Sequence, residues 1–280
     1  MKKVVLSLSL FILLIACGKS QDEKAQVKLD AAQAAFNEGN FNQAKIEIDS
    51  IKILYPKAFK SRRTGIGLMQ EVELKEQEVT LTYLDSLQEI RELELDSIKG
   101  QYTFEKNEEY QDTGNYFWPT QTVERNIHRT FLRFQVNERG VLSMTSFFCN
   151  TYNINHNKIR ITAPDDSFAE TPTTQDTYQT TDLGVKIEQA DFKQGEDGGV
   201  LNFIYLNADK TLRVAYIGDR TFNTTLLAAD KKALVGVYNL AIILSALEDI
   251  RINKEEANLK IRFIKQKMEE RKAKEAEVAK

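Results

Sequence analysis

The sequence predicts an α+β protein: an antiparallel β domain inserted between two long helices that pair with each other, behind a short N-terminal helical hairpin. Three observations carry that prediction. Apolar residues recur at three- and four-residue steps over residues 61–99 and again over 230–280, the rhythm of one helix face. Between them, over 100–229, the period falls to two, the rhythm of half-buried strands. Over residues 25–60, Gly39-Asn40 interrupts a helical pattern and starts a second one, as a hairpin of two helices requires. With 280 residues the chain can bury one large core or two modest ones, and a net charge of −3 of mixed sign predicts no strong polyanion partner, so nucleic acid is not expected.

The amino end comes first. Lys2 and Lys3 precede an apolar run, Val4 to Ala16, that is too short to span a bilayer, since a spanning helix needs about 20 apolar residues. Residues 1–16 therefore read as a secretory signal. Leu14, Ile15, Ala16 and Cys17 resemble the lipobox of bacterial lipoproteins. That resemblance implies cleavage before Cys17, a diacylglycerol on its thiol, and a lipidated tether over 17–24. Each buried acyl CH₂ contributes about 0.8 kcal/mol, and two or three chains make a lasting anchor. By analogy with lipoprotein sorting, the lack of Asp after Cys17 implies the outer membrane, and Lys19, Asp22, Glu23 and Lys24 fit a charged surface-export signal. An ordinary signal peptide with an incidental cysteine, or an uncleaved anchor, is the alternative.

Ala35, Phe36, Gly39, Phe41, Ala44, Ile48, Ile51 and Pro56 have spacings similar to one tetratricopeptide repeat, with residues 25 to about 70 taking part. Three repeats are needed to stack a continuous core, so a single one must bury its face elsewhere and serves as a helical base rather than a peptide groove. The whole chain resembles lipoproteins of the Bacteroides group, a likeness that attaches no activity.

The helix over 61–99 is expected to stop at Gly100 and to span roughly 57 Å. Its predicted stripe is Leu68, Met69, Val72, Val79, Tyr83, Leu87, Ile90, Leu93 and Ile98. After Asp230, a candidate N-cap, the stripe Leu234, Val237, Leu240, Leu244, Leu247, Ile250, Ala257, Ile261, Ile264 and Met268 is interrupted at Lys254, in a helix of roughly 65 Å. Neither stripe can be buried alone, which predicts a coiled-coil-like antiparallel pair. The C-terminal tail mixes Lys and Arg with Glu, the pattern of a solvated face.

In the middle, Thr130–Val136 with Val141–Cys149, and Val200–Leu206 with Thr211–Ile217, read as two hairpins. Asn157–Thr162 and Leu183–Phe192 add strands, and Ala163–Thr181 and Gly195–Gly199 read as loops. The inward set is Leu132, Phe134, Phe203, Tyr205, Val214 and Tyr216.

Candidate site residues are few. Tyr110, Tyr116 and Trp118, beside Phe117 and Pro119, are aromatics in a polar stretch that fit a sugar ring or a protein partner, or else cover the end of the sheet. Asp165-Asp166 and Glu196-Asp197 are carboxylate pairs in loops, more suited to turns than to acid–base work. Cys149, with no partner once Cys17 is acylated, reads as a buried inert thiol. His128 and His156 sit in no catalytic motif, and no metal, phosphate or nucleophile signature occurs, so no cofactor is expected. The expectation is an envelope lipoprotein, tethered to a lipid bilayer through Cys17, that acts by binding as a scaffold or accessory subunit for an envelope protein partner. Glycan capture by the β domain is the first alternative. The second is a hydrolase whose carboxylates converge only in three dimensions.

Overall fold

The computed structural model describes residues 20–278, so the expected signal peptide and Cys17 lie outside the described residues. The chain forms two compact units, one built from residues up to 85 together with 253 onward, the other from 86–252.

In the first unit, α1 (Gln21–Asn37) opens with a reciprocal cap. Ser20 Oγ accepts the Glu23 N–H at 3.1 Å, and the Glu23 carboxylate accepts the Ser20 N–H at 3.0 Å. The helix ends where Gly39 takes φ +76°, a left-handed conformation that costs glycine little. Asn40 then caps α2 (Phe41–Leu54) by accepting the Gln43 N–H. The third helix, α3 (Phe59–Ile98), is 40 residues long. Ala25, Leu29, Ala32 and Ala35 of α1, Ala44, Ile48 and Ile51 of α2, and Leu68 and Val72 of α3 close into one core. The alanines let the helix backbones approach, while each buried Leu or Ile contributes about 1.5–3 kcal/mol.

The closing helix is α5 (Ala228–Val278), 51 residues. Its portion in this unit runs antiparallel to α3: Arg271 lies over Gly67, whereas Lys254 Nζ bonds Asp85 Oδ1 at 2.6 Å, so a step forward along α3 is matched by a nearly equal step back along α5. Ala257 and Ile264, one heptad apart, are buried. The predicted α3 stripe needs correction. Leu68, Met69, Val72 and Ile98 pack inward as expected, whereas Val79, Tyr83, Ile90 and Leu93 are exposed, and Leu84 and Leu95 turn inward instead. A helix of 3.6 residues per turn drifts off any fixed sevenfold count over 40 residues, and the stripe drifts with it.

The second unit holds two antiparallel sheets. One is six-stranded in the order β1 (Thr103–Glu105), β2 (Asn115–Phe117), β3 (Phe131–Asn137), β4 (Leu142–Asn150), β8 (Val185–Lys193), β7 (Thr177–Asp182). The other is four-stranded, in the order β10 (Thr221–Thr225), β9 (Arg213–Ile217), β5 (Lys158–Thr162), β6 (Phe168–Glu170). Leu132, Phe134, Met144, Phe148, Ile161, Val214 and Tyr216 from the two sheets share a core with α4 (Val200–Leu206) and with Leu234, Val237, Leu240 and Leu244 of α5. Among the described residues one helix, α5, is long and apolar enough to cross a membrane by length and composition; these three leucines and one valine are instead buried in this core.

Two predicted elements are corrected. Val200–Leu206 is a helix, not a strand: Asp197 Oδ2 accepts the Leu201 N–H at 2.8 Å, and Val200, Leu201 and Ile204 are buried at helical spacing. A seven-residue apolar run does not by its period alone distinguish the two. The predicted 163–181 loop contains β6 and β7. The latter is exposed at every residue because it forms the sheet's edge, where polar side chains discourage further pairing. The β3–β4 hairpin turn is as expected, with Gly140 at φ +80°, where a Cβ would lie 2.2 Å from the Ser245 backbone N.

Candidate functional site

Strand alternation sorts the six-stranded sheet into an inner face, which joins the core, and an outer face whose residues follow from the register. Across neighbouring strands the outer rows are Phe117, Gln135, Ser143 and Lys193; then Arg133, Thr145 and Asp191; then Phe131, Phe147, Gln189 and Tyr178; then Cys149, Ile187 and Thr180. A row of arginine and acid thus lies beside a row of aromatics.

β2 ends at Phe117, which leaves the first half of β3 without a neighbour on that side. Gln121 takes the place of a strand. Its Nε2 donates to Leu132 O at 2.9 Å and its Oε1 accepts the Phe134 N–H at 2.8 Å. The following segment is fixed by Asn126, which donates to Thr120 O and Thr122 O, and by Arg129, which donates to Asn126 Oδ1 and to the buried Asp230 carboxylate. Burial raises the Asp230 pKa, against the pull of Arg129. This wall encloses a cavity of about 260 Å³ on the outer face, lined by Val123, Ile127, Phe131, Phe147, Cys149 and Ile187, with Arg129, Arg133 and His128 also reaching it. Phe131 and Phe147 stack with centroids 5.2 Å apart and planes 10° from parallel. His128, at φ +57°, holds Asp182 Oδ2 at 2.8 Å from its Nε2.

Arg133 lines both this cavity and a polar cleft of about 490 Å³ bounded by Glu105, Asn115, Phe117, Gln135, Thr145 and Asp191. Its guanidinium lies 3.8 Å over the Phe117 ring and donates from Nη2 to Glu105 at 3.3 Å, while its buried Nε finds no acceptor among the described residues. Burial pulls the Arg133 pKa down, and Glu105 pulls it back up. Asp191 is fully engaged, accepting from Thr145 Oγ1 and from Gln189 Nε2. The arrangement offers an apolar socket with an under-used cationic donor at its rim.

The residues singled out in sequence fall elsewhere. Tyr116 lies on the inner face, its ring 4.7 Å from that of Phe104, and packs against the core. Trp118 does likewise, edge-on to Tyr102, with the Gly236 backbone close behind it. Tyr110, in the β1–β2 loop, is 76% exposed. Asp165 accepts from Ser167 and Asp166 pairs with Arg213, so that pair builds a turn; Asp197 caps α4. Burial pushes the Cys149 thiol up, leaving it a poor nucleophile.

Sequence reasoning missed one constellation. Ser146 Oγ lies 2.8 Å from His156 Nε2, and His156 Nδ1 lies 2.9 Å from Glu188 Oε2, the order of a hydroxyl–imidazole–carboxylate relay. Glu188 also accepts the N–H groups of Ile154, Asn155 and His156. Burial alone would raise its pKa, but these bonds outweigh it and hold the carboxyl below its ordinary value; burial holds the imidazole below its own. An ionised Glu188 puts the imidazole proton on Nδ1, so Nε2 accepts from Ser146. All three residues are at most 2% exposed, with Phe148 and Tyr216 against the imidazole, and no substrate carbonyl can approach the hydroxyl. The relay ties the loop after β4 to β8. Its members are 10 and 32 residues apart in sequence, with no local motif to announce them. Among the described residues no group of His, Cys, Asp and Glu could hold a metal ion.

Comparison of the chain with known protein families, curated proteins and solved structures finds no match.

Proposed function

We propose that the protein is a membrane-anchored envelope lipoprotein that works by binding, as a scaffold or accessory subunit, and that the outer face of the six-stranded sheet is its capture surface. The observation that carries this reading is the socket floored by stacked Phe131 and Phe147 with Arg133 at its edge. Aromatic and arginine side chains around a largely apolar pocket are the residues that dominate protein interfaces. Acylation at Cys17, outer-membrane residence and an envelope protein partner belong to the same proposal. So does likeness of the α1–α2 hairpin to a tetratricopeptide repeat. Its apolar face is spent within the helical core, which fits a base rather than a peptide groove.

Glycan capture is the second reading, and the polar cleft favours it: Asn115 and Gln135 are groups that bond sugar hydroxyls, beside Phe117, whose ring can cover a sugar face. Catalysis has less support, since the Ser146–His156–Glu188 relay found among the described residues is sealed. Phe147→Ala and Asn115→Ala separate the two readings. Loss of a protein adduct in cells on Phe147→Ala alone supports the partner, and loss of polysaccharide binding in calorimetry on Asn115→Ala supports the glycan. Binding of either ligand unchanged in both variants refutes the surface.

A further inference from the structure

Between Asp49 and Glu71 the chain carries Lys52, Lys57, Lys60, Arg62 and Arg63 and no acid. The same stretch, where α2 gives way to α3, leaves Ile53, Leu54 and Phe59 exposed at 77%, 55% and 72%. Three large apolar side chains at one helix corner, interleaved in sequence with cations, are costly to leave in water.

The corner is fixed to the start of the described chain. Gln21 Oε1 accepts the Lys57 N–H at 2.9 Å, and Asp22 Oδ1 accepts from both the N–H and the hydroxyl of Ser61 at 3.0 Å. Asp22 and Glu23 are engaged in these bonds and in the Ser20 cap. Arg62 shares a cleft with Asp49, and Arg63 shares clefts with Asp30, Glu71, Glu270 and Glu275, while the five cations of residues 50–70 have no acid among them in sequence. Two residues, Gly18 and Lys19, separate Ser20 from Cys17, three chain steps that reach about 10 Å even when extended.

We infer that this corner is a second membrane contact: Lys57, Lys60 and Arg63 meet the phosphates of an anionic phospholipid surface while Ile53, Leu54 and Phe59 enter the headgroup region. The inference rests on the proposed acylation of Cys17, because a lipid within about 10 Å of Ser20 places bilayer, rather than a protein partner, against this corner. A basic patch beside an acyl anchor adds an electrostatic hold and limits how the tethered body tilts.

The test uses the complete chain after the signal peptide with Cys17→Ser, so that no acyl group contributes, sedimented with vesicles of phosphatidylglycerol and phosphatidylethanolamine or of phosphatidylcholine alone. The expected result is salt-sensitive binding to the anionic vesicles only. It should fall roughly a hundredfold in the combined Lys57→Gln, Lys60→Gln, Arg63→Gln variant, whose circular dichroism stays unchanged. A nitrobenzoxadiazole label at Phe59→Cys, in a Cys149→Ser background, should shift to the blue on the same vesicles. Absence of binding, equal binding by the triple variant, or an unshifted label overturns the contact. Mass spectrometry of Cys17 in the native protein reports on the anchor separately, so an unmodified sulfur removes the anchor without deciding the vesicle result.

Discussion

The two faces of β4 carry polar groups under opposite conditions. Inward, Ser146 meets His156 and Glu188 in a network where every partner is supplied and no opening leads in. Outward, one residue along, Thr145 and Phe147 lie in a surface where Arg133 keeps an unpaired Nε beside a cavity. The inner set has the geometry of catalysis and lacks access, while the outer set has no catalytic geometry and is open. Hydrogen-bond completeness together with exposure, rather than residue type, separates structural polar groups from those available to a ligand.

The comparison breaks first at Glu188. Glu188→Ala leaves His156 and three backbone N–H groups without an acceptor in the core and should cost about 3–5 kcal/mol in urea unfolding; a loss under about 1 kcal/mol would mean the network is not structural. Trp118→Ala comes next, at about 2–3 kcal/mol, because the ring is half-buried against Tyr102 and the core. Gly236→Ala should act on the same contact, since its Cβ would lie 2.4 Å from the Trp118 ring. Neither should alter binding at the outer face, and a selective binding loss with full stability would return Trp118 to the ligand side.

A smaller effect is acid sensitivity. The folded His156 pKa lies below its ordinary 6.5, so the unfolded chain takes up the proton first, and stability should fall as pH drops below about 6.5. Glu188, held below 4.5, adds a further loss as pH falls below that value. Unfolding curves from pH 8 to 4 read both, and His156→Gln should remove the upper part of the slope. The smallest stability effect belongs to Phe147→Ala, about 1 kcal/mol, with a loss of partner binding of roughly thirtyfold.

The helices were legible because their signals are local and repeated: Gly39 and Asn40 mark the hairpin break, and Leu234 to Leu244 keep one rhythm through the core. Where the signal was short or indirect it misled. Val200–Leu206 needed the Asp197 cap to declare it a helix, and β7 is polar because it is an edge. The outer-face site was hidden for another reason. Phe131, Arg133, Phe147 and Ile187 become neighbours only through register, and Gln121 acts as a strand substitute through its side chain.

The capture surface can be tested directly by placing a photo-reactive residue at Ile127, on the cavity wall, in cells that make the protein. The account predicts a discrete adduct from Ile127 that disappears in the Phe147→Ala background. Adducts from the same probe at Tyr110 but none from Ile127 would contradict it.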